Sequence, residues 1–550
     1  MDNCYLADLL YPNIQTLPED MEKRYPPRQL PEGAKVTRFA PSPTGFLHIG
    51  NLYGAFTDER LAHTTGGIFY LRIEDTDAKR TVPNGVALII ATLAKLGVCF
   101  DEGAVIDGDN GAYGPYRQSE RAEIYQTYAK QLIREGKAYP CFCTEEELEA
   151  IRAKQEAEKK TPGYYGEYAV WRDAPIERIE AALADGKPFV LRFRSEGDIS
   201  HKFKFTDEIK GVIDVTENDV DHVILKSDGI PTYHFAHAVD DHLMRTTHVV
   251  RDESWLSTLP FHIQLFKALG FKLPKYCHTA QVLKLDDGNK RKISKRKDPE
   301  AALTFYHAEG YPAAATREYL MTLLNSNFEE WRIANPTADI EDFKFTTKKM
   351  SVSGSLFDLD KLNDVSKNVI SRMTAEEAYR LSLAWAKEFD PAFAAIYGEN
   401  GDYGTAILAI GRGGAKPRKD LTTWKDVKDY VSFFYDALFT PDSTLPENVT
   451  PEDAVEICRR FAETYDPADD QPAWFAKIKQ IAADLGYAPE TKLYKKDPSA
   501  YKGHVGDVSM VLRIAVTGRQ NSPDLFEVMH ILGCERTIAR LSAMIHTKKD

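Results

Sequence analysis

Apolar residues at 34–39 read as a strand, and helical periodicity follows over 52–62. Thr65-Gly66-Gly67 stops that helix, and residues 68–73 read as a second strand. Strand, helix and strand in this order form a βαβ unit, the building block of a doubly wound parallel sheet. Beyond residue 115 the pattern changes: Tyr125, Tyr128, Ala129, Leu132 and Ile133 recur at helical spacing until Gly136. Thr144 and Glu147 then make a capping box for a further helix. Residues 189–193 read as strand, with a region at 202–215 after them, so 116–225 is expected to be an inserted α+β domain. Sheet character returns at 223–225 and helix at 260–269, completing the parallel fold. Residues 336–550 are mainly amphipathic helix, including 374–388, 451–465 and 523–532.

The fold class expected is therefore α/β: a Rossmann-type parallel sheet, an inserted α+β domain and an all-helical C-terminal region. The boundaries are an N-terminal extension at 1–34, sheet halves at 35–115 and 226–285 around the insertion at 116–225, a loop-bearing domain at 286–372, and the helical region at 373–550. In the extension, Pro26-Pro27 and Pro31 are expected to break any helix, leaving the segment against the first domain or partly free.

Composition narrows the class. A chain of 550 residues with 43% hydrophobic content supports several buried cores, about three or four domains at ordinary sizes. It has no run of eighteen apolar residues, and its N-terminus carries Asp2, Asp8, Glu19 and Asp20 where a targeting segment would be basic then apolar. A soluble, cytoplasmic protein with no membrane partner is expected. Seven scattered cysteines, an odd number, argue for a reducing compartment over a disulfide framework. A net charge of -13 excludes nonspecific coating of nucleic acid, though Lys284, Lys290, Arg291, Lys292, Lys295, Arg296 and Lys297 make a local basic patch.

That patch gains meaning from Arg38-Phe39-Ala40-Pro41-Ser42-Pro43-Thr44-Gly45-Phe46-Leu47-His48-Ile49-Gly50-Asn51, which joins the first strand to a helix start. Free N–H groups and the dipole at a helix start favour phosphate, and His48 adds a donor. Gly50 lacks a side chain, so an aromatic base can lie close to the backbone. The wording PSPTGFLHIG, with Leu71-Arg72-Ile73-Glu74-Asp75-Thr76-Asp77 and Lys292-Ile293-Ser294-Lys295-Arg296, resembles the glutamyl-tRNA synthetases, bacterial-type class I aminoacyl-tRNA synthetases, over nearly the whole chain.

The resemblance implies activation of L-glutamate with ATP and transfer to the terminal ribose of tRNA(Glu), with Mg2+ accompanying the nucleotide and tRNA assisting activation. It leaves tRNA(Gln) open as a second substrate and implies a monomer. His48, Gly50, Asn51, Lys292, Ser294 and Lys295 would hold ATP, with His48, Lys292 and Lys295 catalytic and Lys295 first among the lysines. Arg38 and Arg251 would supply charge to the glutamate, Glu74 would hold its amine, Ala40 and Ser42 would line its place, and Tyr233 and His237 would complete the pocket. Three positions depart from the family: Asn51 stands where a second histidine is frequent, His237 where many members have Asn or Val, and Ser254 where an acid usually follows Glu253. By the same resemblance, 116–225 would bind the tRNA acceptor end, 286–372 its stem and 373–550 the anticodon.

Cys141-Phe142-Cys143 suggests zinc, but such a site needs four ligands, usually as two pairs. Residues 164–168 offer neither Cys nor His, so free thiols are expected. Three rival readings have less support. A short enzyme that glutamylates a modified base would lack residues 336–550. Glutaminyl synthetases usually carry Glu and Asn where this chain has Ser42 and Thr44. A noncatalytic tRNA-binding module would not need His48, Lys295, Arg38 and Arg251 together.

Overall fold

The N-terminal segment forms two helices. A computed structural model describes residues 2–546 apart from 44–46, 78–81, 295, 415 and 442–443. In it α1 (Asn3–Leu10) is capped by the Asp2 carboxylate, which accepts from the Cys4 and Tyr5 amides, and α2 (Pro18–Arg24) begins on a proline suited to a first turn. The expectation that prolines break any helix here is corrected: Pro26-Pro27 and Pro31 lie beyond both helices and only end them. Leu6, Ala7, Leu10, Met21 and Tyr25 are buried. Arg28 is clamped onto Glu102 by paired bonds of 2.9 and 3.0 Å and lies 3.8 Å over the Tyr113 ring.

The βαβ unit follows as β1 (Val36–Phe39), α3 (Ile49–His63) and β2 (Ile68–Leu71), then α4 (Gly85–Lys95), β3 (Glu102–Ala104) and β4 (Asp109–Asn110). β1, β2 and β3 are parallel in that order, with β4 antiparallel at the edge. α3 starts three residues before the periodic signal because Ile49-Gly50-Asn51 belongs to its first turn.

The insertion contains α5 (Ala122–Arg134), β5 (Ala138–Cys141), α6 (Glu145–Ala157), α7 (Ile176–Ala184), β6 (Val190–Phe193), β7 (Lys202–Asp207), β8 (Gly211–Thr216) and β9 (Val223–Leu225). β5, β6 and β9 form an antiparallel sheet, and β7 with β8 a hairpin. The capping box of α6 is present, with Glu147 N donating to Thr144 Oγ1 at 3.2 Å and Thr144 N to Glu147 Oε2 at 2.9 Å.

After α8 (Tyr233–Leu243), β10 (His248–Asp252), α9 (Leu259–Ala268) and β11 (Lys275–Thr279) rebuild parallel structure, β10 pairing with β11. Thr247 joins this pair to the free side of β1: its amide donates to Val36 O at 2.9 Å and its hydroxyl accepts from Val36 N at 2.8 Å. The chain thus runs from β1 outward to β2 on one side and returns to β10 on the other, a switch of direction whose carboxyl-end crevice is where ligands bind in such sheets. β1 is buried at all four positions, as parallel strands covered on both faces require.

β12 (Val282–Asp286) and β13 (Asn289–Lys292) form a hairpin, with β14 (Ser355–Leu356) parallel to β12. Residues 1–305 and 317–358 make one compact unit, and residues 306–316 and 359–550 a second. The chain passes between them in α10 (Leu303–Ala308) and α11 (Ala313–Leu324), before α12 (Phe328–Ala334) and α13 (Leu359–Arg372). The second unit is helical. It takes in α13, which the sequence pattern alone assigns to the loop-bearing domain, because Val369 and Ile370 belong to the helical core with Phe461, Ile478, Leu512, Val528 and Leu541. Among the described residues no helix is long and apolar enough to cross a membrane.

Candidate active site

The carboxyl ends of β1, β2 and β10 assemble a buried charge cluster. Arg38, 4% exposed, donates from Nε to both oxygens of Asp241 at 3.1 and 3.2 Å and from Nη1 to Val250 O at 3.3 Å. Arg72 donates to the same Asp241 at 2.5 Å and to Glu74 at 3.1 Å. Burial works to raise the Asp241 carboxyl, but Arg38 and then Arg72 hold it well below the usual carboxylate range. The neighbouring Asp240 takes Gln118, Arg121 and Tyr125 at 2.9, 2.7 and 2.8 Å. Consecutive aspartates on α8 thus serve opposite sides: Asp241 fixes the strand-end arginines and Asp240 the start of α5.

Glu74 has a different balance. Burial pushes its carboxyl up to about 7 against the pull of Arg72 and Arg38. Ala40 is half-buried and Ser42 exposed in the turn after β1, which stays paired to the turn after β2 through Glu74 N donating to Pro41 O at 3.0 Å. Tyr233 opens α8, its ring 4.5 Å from Trp255 and stacked 6.0 Å from His237. Its phenol is raised by burial, and it feels Glu74, Arg251 and Arg38 together, so these groups share one locality.

Arg251, at the end of β10, is held differently from Arg38. Its Nε donates to His278 Nε2 and its Nη1 meets His262 Nδ1, both at 2.9 Å, while the guanidinium lies 4.5 Å over the Tyr276 ring. Its Nη2 is buried with no hydrogen-bond partner among the described residues. A ligand oxygen there would meet a guanidinium donor that no described protein group takes up. Arg251 remains 8% exposed, whereas Arg72 and Arg121, which also carry unmet nitrogens, are 0% and 1% exposed. Of these three, Arg251 is the one least sealed from a ligand.

His48 caps α3. Its Nδ1 accepts from Asn51 N at 3.3 Å, and Asn51 Oδ1 accepts from His48 N at 3.0 Å. The departure at Asn51 therefore has a structural use, since the amide closes the helix start reciprocally. A Cβ on Gly50 would stand 2.9 Å from His48 Cε1, so the glycine lets the imidazole fold over the first turn. The lysine loop is tied at its base by Asp298, which takes Arg291 at 2.7 and 2.8 Å and the Ser294 amide at 2.8 Å. The Arg291 bonds, above all, hold the Asp298 carboxyl far below its usual range. Lys292 is exposed at the end of β13, and Lys295 lies outside the described residues. The chain leaving the loop returns directly to the first motif, with His48 bridged to Ala302 and Leu303 N donating to Leu47 O at 3.4 Å.

Residues 35–364 match the family described as tRNA synthetases class I (E and Q), catalytic domain, and residues 499–545 match an anticodon binding domain. The glutamate–tRNA ligase of Acetivibrio thermocellus is 54% identical over 99% of this chain and 100% of its own length. The chain belongs to the glutamate–tRNA ligase family. The ligase of Clostridium perfringens strain 13 is 48% identical over 98% of this chain and 99% of its own length. A crystal structure of a glutamate tRNA ligase from Elizabethkingia meningosepticum, in complex with its amino acid, superposes with a TM-score of 0.74 at 29% identity, covering 94% of this chain and all of that one.

For a glutamate–tRNA ligase, three features of this chain add to the motif residues. His237, one of the departures, is fully buried, with Nε2 2.9 Å from Tyr276 Oη and Nδ1 2.7 Å from Asp241. It thus lies behind Tyr233 as a link between the two arginine supports, and burial brings its imidazole down to about 4. Ser254 is exposed, its amide donating to Asp252 Oδ1 at 2.9 Å. The Cys141 and Cys143 sulfurs lie 3.4 and 3.6 Å from Tyr164 Oη, so both thiols share one phenol as hydrogen-bond partner. His262, His278, Asp207 and Asp241 escape the sequence motifs because they sit on separate elements with no common spacing.

Proposed function

We infer that the chain activates L-glutamate with ATP to glutamyl-adenylate and transfers the glutamyl group to the 3′-terminal adenosine of tRNA(Glu). The observation that carries this reading is Arg251, a buried guanidinium with an unmet donor, beside Arg38 and Glu74 at the strand ends. A guanidinium fork suits a side-chain carboxylate, and Glu74 as carboxylate suits the α-ammonium. With both ends held, the α-carboxylate can be aimed at the α-phosphate of ATP. The N–H groups at the start of α3 and the lysine loop would meet the phosphates as pyrophosphate leaves. Magnesium supplies charge neutralisation when bound with the nucleotide. The insertion at 116–225, the 286–372 domain and the helical region are assigned to the acceptor end, stem and anticodon of the tRNA, and the enzyme is assigned to the cytoplasm as a monomer. ATP–pyrophosphate exchange with tRNA present, then charging of purified tRNA(Glu) and tRNA(Gln), tests the reading. Absence of exchange with either tRNA would refute it, and charging of tRNA(Gln) would widen it.

Two results are expected under this reading. Lys295→Ala should lower the rate of adenylate formation by about 100- to 1000-fold with little change in glutamate KM, because the lysine acts on charge that develops only as pyrophosphate departs. Lys292→Ala should be milder. Single-turnover measurements decide this, and equal losses in the two variants would remove the ranking. The second result concerns pH. Glu74 attracts an ammonium only when ionised, and its raised value of about 7 makes that form scarce in acid. The kcat/KM for glutamate should therefore fall as pH drops from about 8 to about 6, a window in which no group of the free amino acid changes its charge appreciably. Glu74→Gln should flatten that limb, and an unchanged pH profile in the variant would refute the assignment.

A further inference from the structure

We propose that His262 and His278 are positioning and specificity-determining residues that hold Arg251 in place without pairing it directly to a carboxylate. This rests on the reading of Arg251 as the group that meets the glutamate side chain. The hydrogen bonds fix the protons along a chain. Arg251 Nε can only donate, so His278 Nε2 must accept, and the His278 proton sits on Nδ1, which donates to Asp207 Oδ2 at 2.6 Å. Arg251 Nη1 likewise donates to His262 Nδ1, placing the His262 proton on Nε2, which donates to His234 Nδ1 at 2.8 Å.

Both ends of the chain are anchored. Asp207 closes β7, accepting the Ile209 and Lys210 amides at 2.9 and 2.8 Å and the His278 amide at 3.2 Å. His234 stands on α8 with its ring 5.4 Å from that of Phe261. His262 and His278 are both fully buried, so water cannot substitute for either contact.

The contrast with Arg38 gives the arrangement its purpose. Arg38 meets a carboxylate, Asp241, and its charge is largely spent within the protein. Arg251 needs acceptors to hold its fork, but no carboxylate lies within ion-pair distance of it among the described residues. Two neutral imidazoles satisfy its Nε and Nη1 donors without a direct ion pair, and a carboxylate of the chain, Asp207, stands one ring behind His278. The cation is then oriented, desolvated and still available, which favours a carboxylate over the isosteric amide of glutamine. Burial keeps His262 well below its usual range and lowers His278, in keeping with neutral rings.

The test separates charge from shape. In His262→Asn the amide oxygen takes the place of Nδ1 as a neutral acceptor, whereas His262→Asp offers an acceptor of the same size that neutralises the guanidinium. With the full-length enzyme and tRNA present, His262→Asn should keep the glutamate KM within about fivefold of the wild type, and His262→Asp should raise it by about tenfold or more, with the ATP KM unchanged in both. Discrimination of glutamate from glutamine in pyrophosphate exchange should fall only in His262→Asp. The pair His278→Gln and His278→Glu repeats the comparison at Nε2 and stands in if the first pair does not fold. Equal glutamate KM values within each pair would overturn the proposal. Arg251→Gln distinguishes the failures: if it too leaves the glutamate KM unchanged, the reading of Arg251 itself has failed, and if it raises KM while the pairs do not differ, the histidines alone have been misassigned.

Discussion

Replacing Arg251 with glutamine is expected to lower kcat/KM for glutamate by between about 30-fold and about 5000-fold, mostly through KM. The range follows from the ~2–5 kcal/mol typical of removing one partner from a desolvated, hydrogen-bonded charge pair. Arg251 stands toward the upper end because its Nη2 has no partner among the described residues. No described protein group competes for that donor, so a ligand oxygen there adds a hydrogen bond without displacing one made within the protein. Arg251→Lys should fall between, since a lysine keeps the charge but cannot span His278 and His262 while reaching a ligand. The ATP KM should not move, because nothing in the Arg251 contacts reaches the start of α3. Exchange kinetics with glutamate varied at saturating ATP and tRNA measure the effect. A glutamate KM in Arg251→Gln within about twofold of the wild type would show that the side-chain carboxylate is read elsewhere.

The parts of this site that were legible in the sequence are those carried by contiguous motifs. Arg38 and Ser42 flank a strand end, Glu74 follows the next strand, and His48 precedes a helix, so local pattern already sets them at the carboxyl edge of a parallel sheet. The supports were hidden for a physical reason: a hydrogen bond between Arg251 and His262 depends on how α9 packs behind β10, and no spacing along the chain encodes it. Asp241 shows the same limit from the other side. It could be seen as the second of two adjacent acids, yet only the fold reveals that Asp240 serves Arg121 while Asp241 serves Arg38 and Arg72. Helix boundaries slipped where special residues masked the period. α3 begins at Ile49, three residues before its apolar rhythm becomes regular, because His48 and Asn51 cap it. α1 and α2 lie before Pro26-Pro27 and Pro31, whose helix-breaking signal hides two short helices that Asp2 and Pro18 are both suited to start. The start of the helical unit at residue 359 depends on whether Val369 and Ile370 face the helical core, a matter of packing and not of composition.

Asp241→Asn should cost about 3–5 kcal/mol of stability in the sheet-bearing unit, the usual range for removing one side of a buried ionic group. Asp241 is 1% exposed, and its two oxygens take Arg38 and Arg72, themselves 4% and 0% exposed. An asparagine can still accept through its carbonyl, but Arg38 would then lie in a dry interior without its paired carboxylate, and Arg72 would keep only Glu74 at 3.1 Å and Asp240 at 3.9 Å. The pH dependence distinguishes this from a packing defect. Asp241 is held below its unfolded value of 3.8, so its contribution is complete above that value and is lost only as pH falls through the lower folded one. The stability gap between wild type and Asp241→Asn should therefore be widest near neutrality and close in strong acid, where the wild-type carboxyl is protonated too. Amide hydrogen exchange across residues 36–39 and 233–243 reads the gap where it arises, without assuming that both units unfold together. Protection equal to that of the wild type near neutral pH, or a gap that does not change with pH, would mean that the arginines find their compensation from some group other than Asp241.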